Sequence, residues 1–275
     1  MKNKIGVIQG RLLPKYKGRY QAHPVGYWKD EFFIASSIGL DCIEFILDFN
    51  DAKINPLIKD GGIEEIKKIV VDSGVQVNTI CADYFMEAPL HSKDVNLANY
   101  SKDMLIVLLE SAIKLNVSDI VIPCVDQSKL SNQEEIERFI EAIMPLVRVA
   151  EDNNINFSLE TDLPPKQFLS LLEYFDSSNV TVNYDIGNSA ALGYNPEEEL
   201  TVYGHKISDI HIKDRVFDEG PIVLGEGDAD FNAFFKKLIE FDYKGPFIMQ
   251  TYRDDEGVEI FKKQLNWVSS YFNAQ

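Results

Sequence analysis

The chain has 275 residues, 45% of them hydrophobic and 26% charged, and a formal net charge of −17. That length and balance suit one globular domain over residues 1–275 and exclude global disorder, while the negative charge repels a polyanion and sets nucleic acid aside as a partner. No apolar run approaches the roughly 18 residues of a spanning helix, and Met1-Lys2-Asn3-Lys4-Ile5 lacks the features of a secretory leader, so a cytoplasmic protein away from the membrane is expected.

In chain order, short β-rich apolar runs alternate with longer helical stretches. A first strand is expected at 4–9 (KIGVIQ), followed by a long loop from Arg11 to Tyr27 and a helix over 28–38. Gln9-Gly10-Arg11-Leu12-Leu13 is not the glycine fingerprint of a dinucleotide fold. The next strand, 41–47 (DCIEFIL), leads to a helix over 62–73, and 75–81 (VQVNTIC) leads to one over 95–116. Gly39 and Gly74 stand where helices should end. Then come 119–124 (DIVIPC) with a helix over 132–153, and 155–160 (INFSLE) with one over 165–176. Ser131 and Glu134 have capping-box spacing, and Pro165 suits a first helical turn. The last strands are 180–185 (VTVNYD), 207–213 (ISDIHIK) and 246–251 (PFIMQT), with helices over 196–204, 230–241 and 256–272. Eight such units without a linker imply parallel strands, right-handed crossovers and a closed (β/α)8 TIM barrel, fold class α/β. Cys42, Cys81 and Cys124 lie in strand-like runs without CxxC spacing, which reads as buried thiols rather than a disulfide or zinc framework.

The chemistry gathers at the ends of the last four strands. Strand alternation can turn Glu160, Asp185, His211 and Gln250 inward, and neighbouring strands lie about 5 Å apart, so these ends can converge. A buried carboxylate pair is costly unless a cation neutralises it. Carboxylates, an imidazole and an amide oxygen suit one divalent ion, Mn²⁺, Mg²⁺, Zn²⁺ or Co²⁺. Each residue alone has a plainer role: Glu160 as a rim ion-pair partner, Asp185 as a helix cap, His211 as a hydrogen-bonded core residue. Their recurrence at consecutive strand ends on the catalytic face of a barrel raises the metal reading above these.

IGVIQGRL at 5–12, GLDCIEF at 39–45, FSLET at 157–161, YDIGN at 184–188, DIHIKDR at 209–215, VLGEGDADF at 223–231 and YKGPFIMQTYR at 243–253 together resemble the xylose-isomerase-like sugar phosphate isomerase/epimerase superfamily. That group also includes inosose dehydratases and type IV endonucleases. The resemblance implies a small sugar or sugar phosphate as the partner and a metal held by Glu160, Asp185, His211 and a strand-eight glutamate. Here that fourth position is Gln250. The epimerases use two glutamates as acid–base groups on opposite faces of the substrate, and an amide cannot exchange that proton at neutral pH. Two carboxylates give −2, which one divalent ion balances. A glutamine should therefore hold the ion more weakly than a third carboxylate would.

The leading expectation is an isomerase or epimerase that moves a proton beside a sugar carbonyl through an enediolate, with Glu160 as the general base. A single base fits a 1,2 aldose–ketose shift better than inversion at C3. Arg11, Glu44, Asn188, Lys213, Arg215 and Arg253 are the expected substrate-binding residues. Tyr16, Tyr20, Tyr27 and Trp28 either cover a sugar ring or pack the first loop, and Glu226 is a lesser candidate proton carrier. An inosose dehydratase-like lyase and a non-catalytic sugar-binding barrel are the alternatives. The chain's four histidines and its charge oppose a metal-cluster endonuclease. The sequence leaves oligomeric state open, a homo-oligomer included.

Overall fold

The structure, a computed structural model, describes residues 3–272. Eight parallel strands close into a barrel: β1 (Ile5–Ile8), β2 (Cys42–Ile46), β3 (Gln76–Cys81), β4 (Asp119–Cys124), β5 (Asn156–Thr161), β6 (Val180–Asp185), β7 (Ile207–Ile212) and, after a short antiparallel ribbon of β8 (Asp214–Arg215) and β9 (Pro221–Ile222), β10 (Phe247–Met249). Around the ring the order is β1-β10-β7-β6-β5-β4-β3-β2. The expected (β/α)8 barrel is the observed one.

The outer layer holds α1 (Trp28–Ser37), α2 (Gly62–Ser73), α4 (Val95–Leu115), α5 (Gln133–Asp152), α6 (Pro165–Glu173), α8 (Pro196–Tyr203), α9 (Phe231–Leu238) and α10 (Val258–Phe272). Two short helices were not foreseen, α3 (Tyr84–Glu87) and α7 (Ile186–Ala191), and each follows a strand end at the mouth. The helices form because an apolar stripe recurs at helical spacing, as Phe139, Ile140, Ile143 and Val147 do on α5. Each such side chain, taken fully from water, contributes about 1.5–3 kcal/mol. The cap of α5 falls one residue later than the Ser131 reading. Asn132 accepts from the Glu135 amide, and Glu135 reaches back to the Ser131 amide. Gly74 ends α2 at φ 78°, the left-handed region that a side chain disfavours.

Inside the barrel, Ile8, Cys42, Ile46, Cys81, Val121 and Ile248 make an apolar cluster. All three cysteines are free and buried. Gly6 lets these walls meet, since a Cβ there would lie 2.6 Å from the Cys42 sulfur. The rest of the interior is polar: Glu44, Thr79, Asp119, Ser158, Asn183, Asp209 and His211 are all buried. A polar interior leading up to one end of the barrel is what positions the site.

Candidate active site and metal centre

Glu160 lies within β5, and Asp185 ends β6 and caps α7, its Oδ1 accepting from the Asn188 amide at 2.8 Å. His211 lies in β7, level with Asp185 in the β6–β7 register. One ligand atom from each of these three lies within 4.8 Å of the others, and all three residues are buried. Burial, followed by repulsion from Asp185, raises the Glu160 carboxyl above its ordinary value. Asn188 Nδ2 and Asn183 Nδ2 donate to its two oxygens. Two hard oxygens and one imidazole nitrogen, crowded and costly without a counter-charge, fit a divalent cation.

The two nitrogens of His211 face different ways. Nε2 is 2.9 Å from Glu44 Oε1, while Nδ1 is 3.9 Å from Asp185 Oδ2 and 3.1 Å from Asn183 Nδ2. Asn183 Nδ2 is also 3.5 Å from Nε2, so it lies over the ring rather than on the lone pair of Nδ1, and it faces a Glu160 oxygen. The Glu44 carboxylate accepts from the Nε2 side of the ring, and Nδ1 faces the other carboxylates. Burial opposes charge on the ring, yet Glu44 holds the imidazole above its ordinary value. For Glu44, burial pushes upward and His211 outweighs it, leaving the carboxyl lowered.

Glu44 is thus placed differently from the expectation of substrate contact. It is fully buried beneath His211, and its other oxygen accepts from Thr79 Oγ1 at 2.8 Å. A second His-carboxylate group, Glu44, Asp209 and His211, shares this closed interior. Sequence reasoning passed over Asp209, although strand alternation puts it on the same face as His211.

Glu160 opens on a cavity of about 310 Å³, lined also by Arg11, Asn188, Lys213, Arg215 and Gln250. Lys213 Nζ donates to Asp185 Oδ2 at 3.1 Å, Asn188 Oδ1 at 3.0 Å and Gln250 Oε1 at 3.2 Å. Gln250 follows β10, and its oxygen meets the cluster through this ammonium. Its Nε2 donates to Gln21 Oε1 at 3.2 Å. The bare count of −2 therefore omits a positive charge seated on Asp185. Arg215 donates to Asn188 Oδ1 at 2.8 Å.

Arg11 lines the cavity while holding the first loop, donating to Thr251 O, Tyr20 O and Gln21 Oε1. Arg253 is not brought to the cavity. Its guanidinium donates to the carbonyls of Gly10, Leu13, Asp254 and Asp255, which ties the β1 loop to the chain after β10. Of the four aromatics, Tyr20 lines the cavity with its ring against Arg11. Trp28 packs on Phe32 and Phe45, and Tyr16 pairs with Tyr27. Glu226 sits in a turn whose flanking amides, Gly225 and Gly227, donate to Asp214 Oδ2, and it does not line the cavity. Gln21 and Asp83, both cavity residues, went unread because they lie on loops with no periodicity to mark them.

The chain resembles known proteins over nearly its full length. The L-ribulose-5-phosphate 3-epimerase UlaE of Escherichia coli is 25% identical over 267 residues, covering 91% of this chain and 92% of the relative. A solved L-ribulose 3-epimerase superposes with a TM-score of 0.78 at 16% identity, covering 99% of this chain and 95% of that one. A magnesium complex of a xylose isomerase-like TIM barrel protein from Mycobacterium smegmatis gives 0.73 at 18% identity, covering 99% and 97%. No helix among the described residues is long and apolar enough to cross a membrane. The profile of the xylose isomerase-like TIM barrel family matches residues 32–271, from α1 to α10, and with the closed barrel this places the chain in that family.

Proposed function

We propose that the protein is a divalent-metal-dependent epimerase that inverts C3 of a ketose or ketose phosphate. The observation that carries the reading is the buried convergence of Glu160, Asp185 and His211, with Glu160 opening on a sugar-sized cavity. Glu160, Asp185, His211 Nδ1 and the Gln250 oxygen are the groups that would hold the ion. A bound divalent cation supplies Lewis acidity toward a carbonyl and its neighbouring hydroxyl.

The chain's own residues do the rest. Glu160 is the general base, its two oxygens held by the amides of Asn188 and Asn183. Asn188 steadies Glu160 and reaches the cavity, where Lys213 and Arg215 present cationic donors to sugar or phosphate oxygens. The name of the relative covering nine-tenths of the chain favours inversion at C3. The amide at Gln250 favours the second reading, a one-base 1,2 aldose–ketose shift.

The products separate the two. Wild type with Mn²⁺ and L-ribulose 5-phosphate should yield the C3 epimer, resolved by NMR. Glu160→Gln should lose at least about 1,000-fold in kcat, since general base and ligand charge go together. An aldose product would select the 1,2 shift. No new sugar from L-ribulose 5-phosphate, L-ribulose, D-allulose or D-tagatose would overturn the reading.

A further inference from the structure

Inversion at one carbon needs a proton carrier on each face, and Gln250 cannot be one. Besides Glu160, four carboxyl side chains line the cavity: Asp48, Asp83, Glu87 and Asp126. Asp48 is held by both terminal nitrogens of Arg19. Glu87 and Asp126 are exposed at the rim. Asp83 is different. It follows the end of β3, and its Oδ2 accepts from Gln21 Nε2 at 2.7 Å while its Oδ1 accepts from the Cys81 thiol at 3.2 Å.

Gln21 completes a bridge. Its oxygen accepts from Gln250 Nε2 at 3.2 Å and from Arg11 Nη2 at 2.8 Å. Hydrogen bonds therefore run from Asp83 through Gln21 to Gln250, across the part of the mouth where β1 and β2 separate β3 from β10. The loop carrying Gln21 fills that gap and links the Asp83 carboxyl, just after β3, to the amide after β10.

We infer that Asp83 is the second acid–base group of this site, facing the substrate from the Gln250 side while Glu160 faces it from the other. The inference rests on the reading of C3 inversion given above. In one direction Glu160 takes the C3 proton. The C–H bond breaks and its electron pair moves towards the C2 carbonyl oxygen, giving the enediolate. The O–H bond of the Asp83 carboxyl then breaks, a new C–H bond forms on the opposite face, and the carbonyl returns. The sugar ends with its atoms and charge unchanged, Glu160 has gained a proton and Asp83 has lost one. Exchange with solvent resets both, and the opposite epimer runs the steps backwards.

Burial raises Asp83 above its ordinary value, against hydrogen bonds from Gln21 and Cys81 and the charge of Arg11, and with Asp48 adding to the rise. The Cys81 thiol beside Asp83 is held inert, first by burial and then by Asp83, Glu44 and Glu160.

The test separates exchange from inversion. The Mn²⁺-loaded enzyme is incubated with L-ribulose 5-phosphate in D₂O and followed by NMR. Wild type should form the C3 epimer with deuterium at C3. Asp83→Asn should still wash deuterium into C3 of the starting sugar within a few-fold of the wild-type rate, because Glu160 is intact, while epimer formation falls by about 100-fold or more. Adding Gln250→Glu to Asp83→Asn restores a carboxyl on that side and should recover inversion. If Asp83→Asn inverts at the wild-type rate, Asp83 is not the carrier. If it loses exchange and inversion together, the double variant decides, and failure to recover inversion also overturns the assignment. Absence of exchange in wild type with every sugar of the panel would instead sink the epimerase reading itself.

Discussion

His211 has one nitrogen turned to Glu44 and one to the carboxylates, and this division sets what the ring can bind. A metal-ligating imidazole is held in its tautomer by the acceptor on its other nitrogen, and such partners are typically worth 10- to 100-fold in metal affinity. Glu44 is that partner here, at 2.9 Å and fully buried. Glu44→Gln keeps an acceptor oxygen but removes the charge, so Mn²⁺ should bind about 10-fold more weakly, measured by competition with a chromophoric chelator. Unchanged affinity would mean that Glu44 does not act through His211. Strand alternation puts Glu44 on the inward face, but alternation says nothing of depth. The side chain sits below the imidazole, and only coordinates distinguish a residue under a ligand from one beside a substrate.

At the scale of elements, α1 secures the loop over the mouth through one carboxyl. Glu31 is fully buried and accepts from the amides of Gly10 at 2.7 Å and Leu12 at 2.9 Å. Burial outweighs these bonds and the nearby Arg11 and Arg253, raising the group from 4.5 to about 7. A carboxyl that binds its proton more tightly when folded stabilises the fold at low pH. That contribution is lost as pH rises from about 4.5 to about 7. In urea unfolding at pH 5 and pH 7.5, wild type should lose about 2–3 kcal/mol more than Glu31→Gln over that interval. Parallel losses would show that Glu31 does not titrate in that window. The sequence marks this helix well and its anchoring role not at all, because a glutamate in a first turn is ordinary on a helix. The ribbon of β8 and β9 was equally unreadable. Asp214 accepts from the amides of Gly225, Gly227 and Ala229, and that tertiary contact orders a loop with no local pattern of its own.

The molecule as a whole divides along the same line. Its eight strands and eight main helices were legible because hydrophobic periods of two and of about 3.6 survive along each unit. Glu160, Asp185 and His211 were legible because they lie on strands, where register fixes the facing. Gln21 and Asp83 were not, because loops carry no period, and Arg253 looked like a site residue only through its closeness in sequence to a strand end. The net charge of −17 sets a background that attracts cations, but only the buried cluster concentrates that charge at one point. The central claim is that this cluster is a divalent metal centre. Calorimetric titration of Mn²⁺ into chelator-treated protein tests it most directly. Wild type should take up one ion per chain, and Asp185→Asn and His211→Ala should each weaken binding by about 100-fold or more, as loss of a ligand from a site of few donors requires. No saturable binding to wild type, or equal binding to all three proteins, would contradict it.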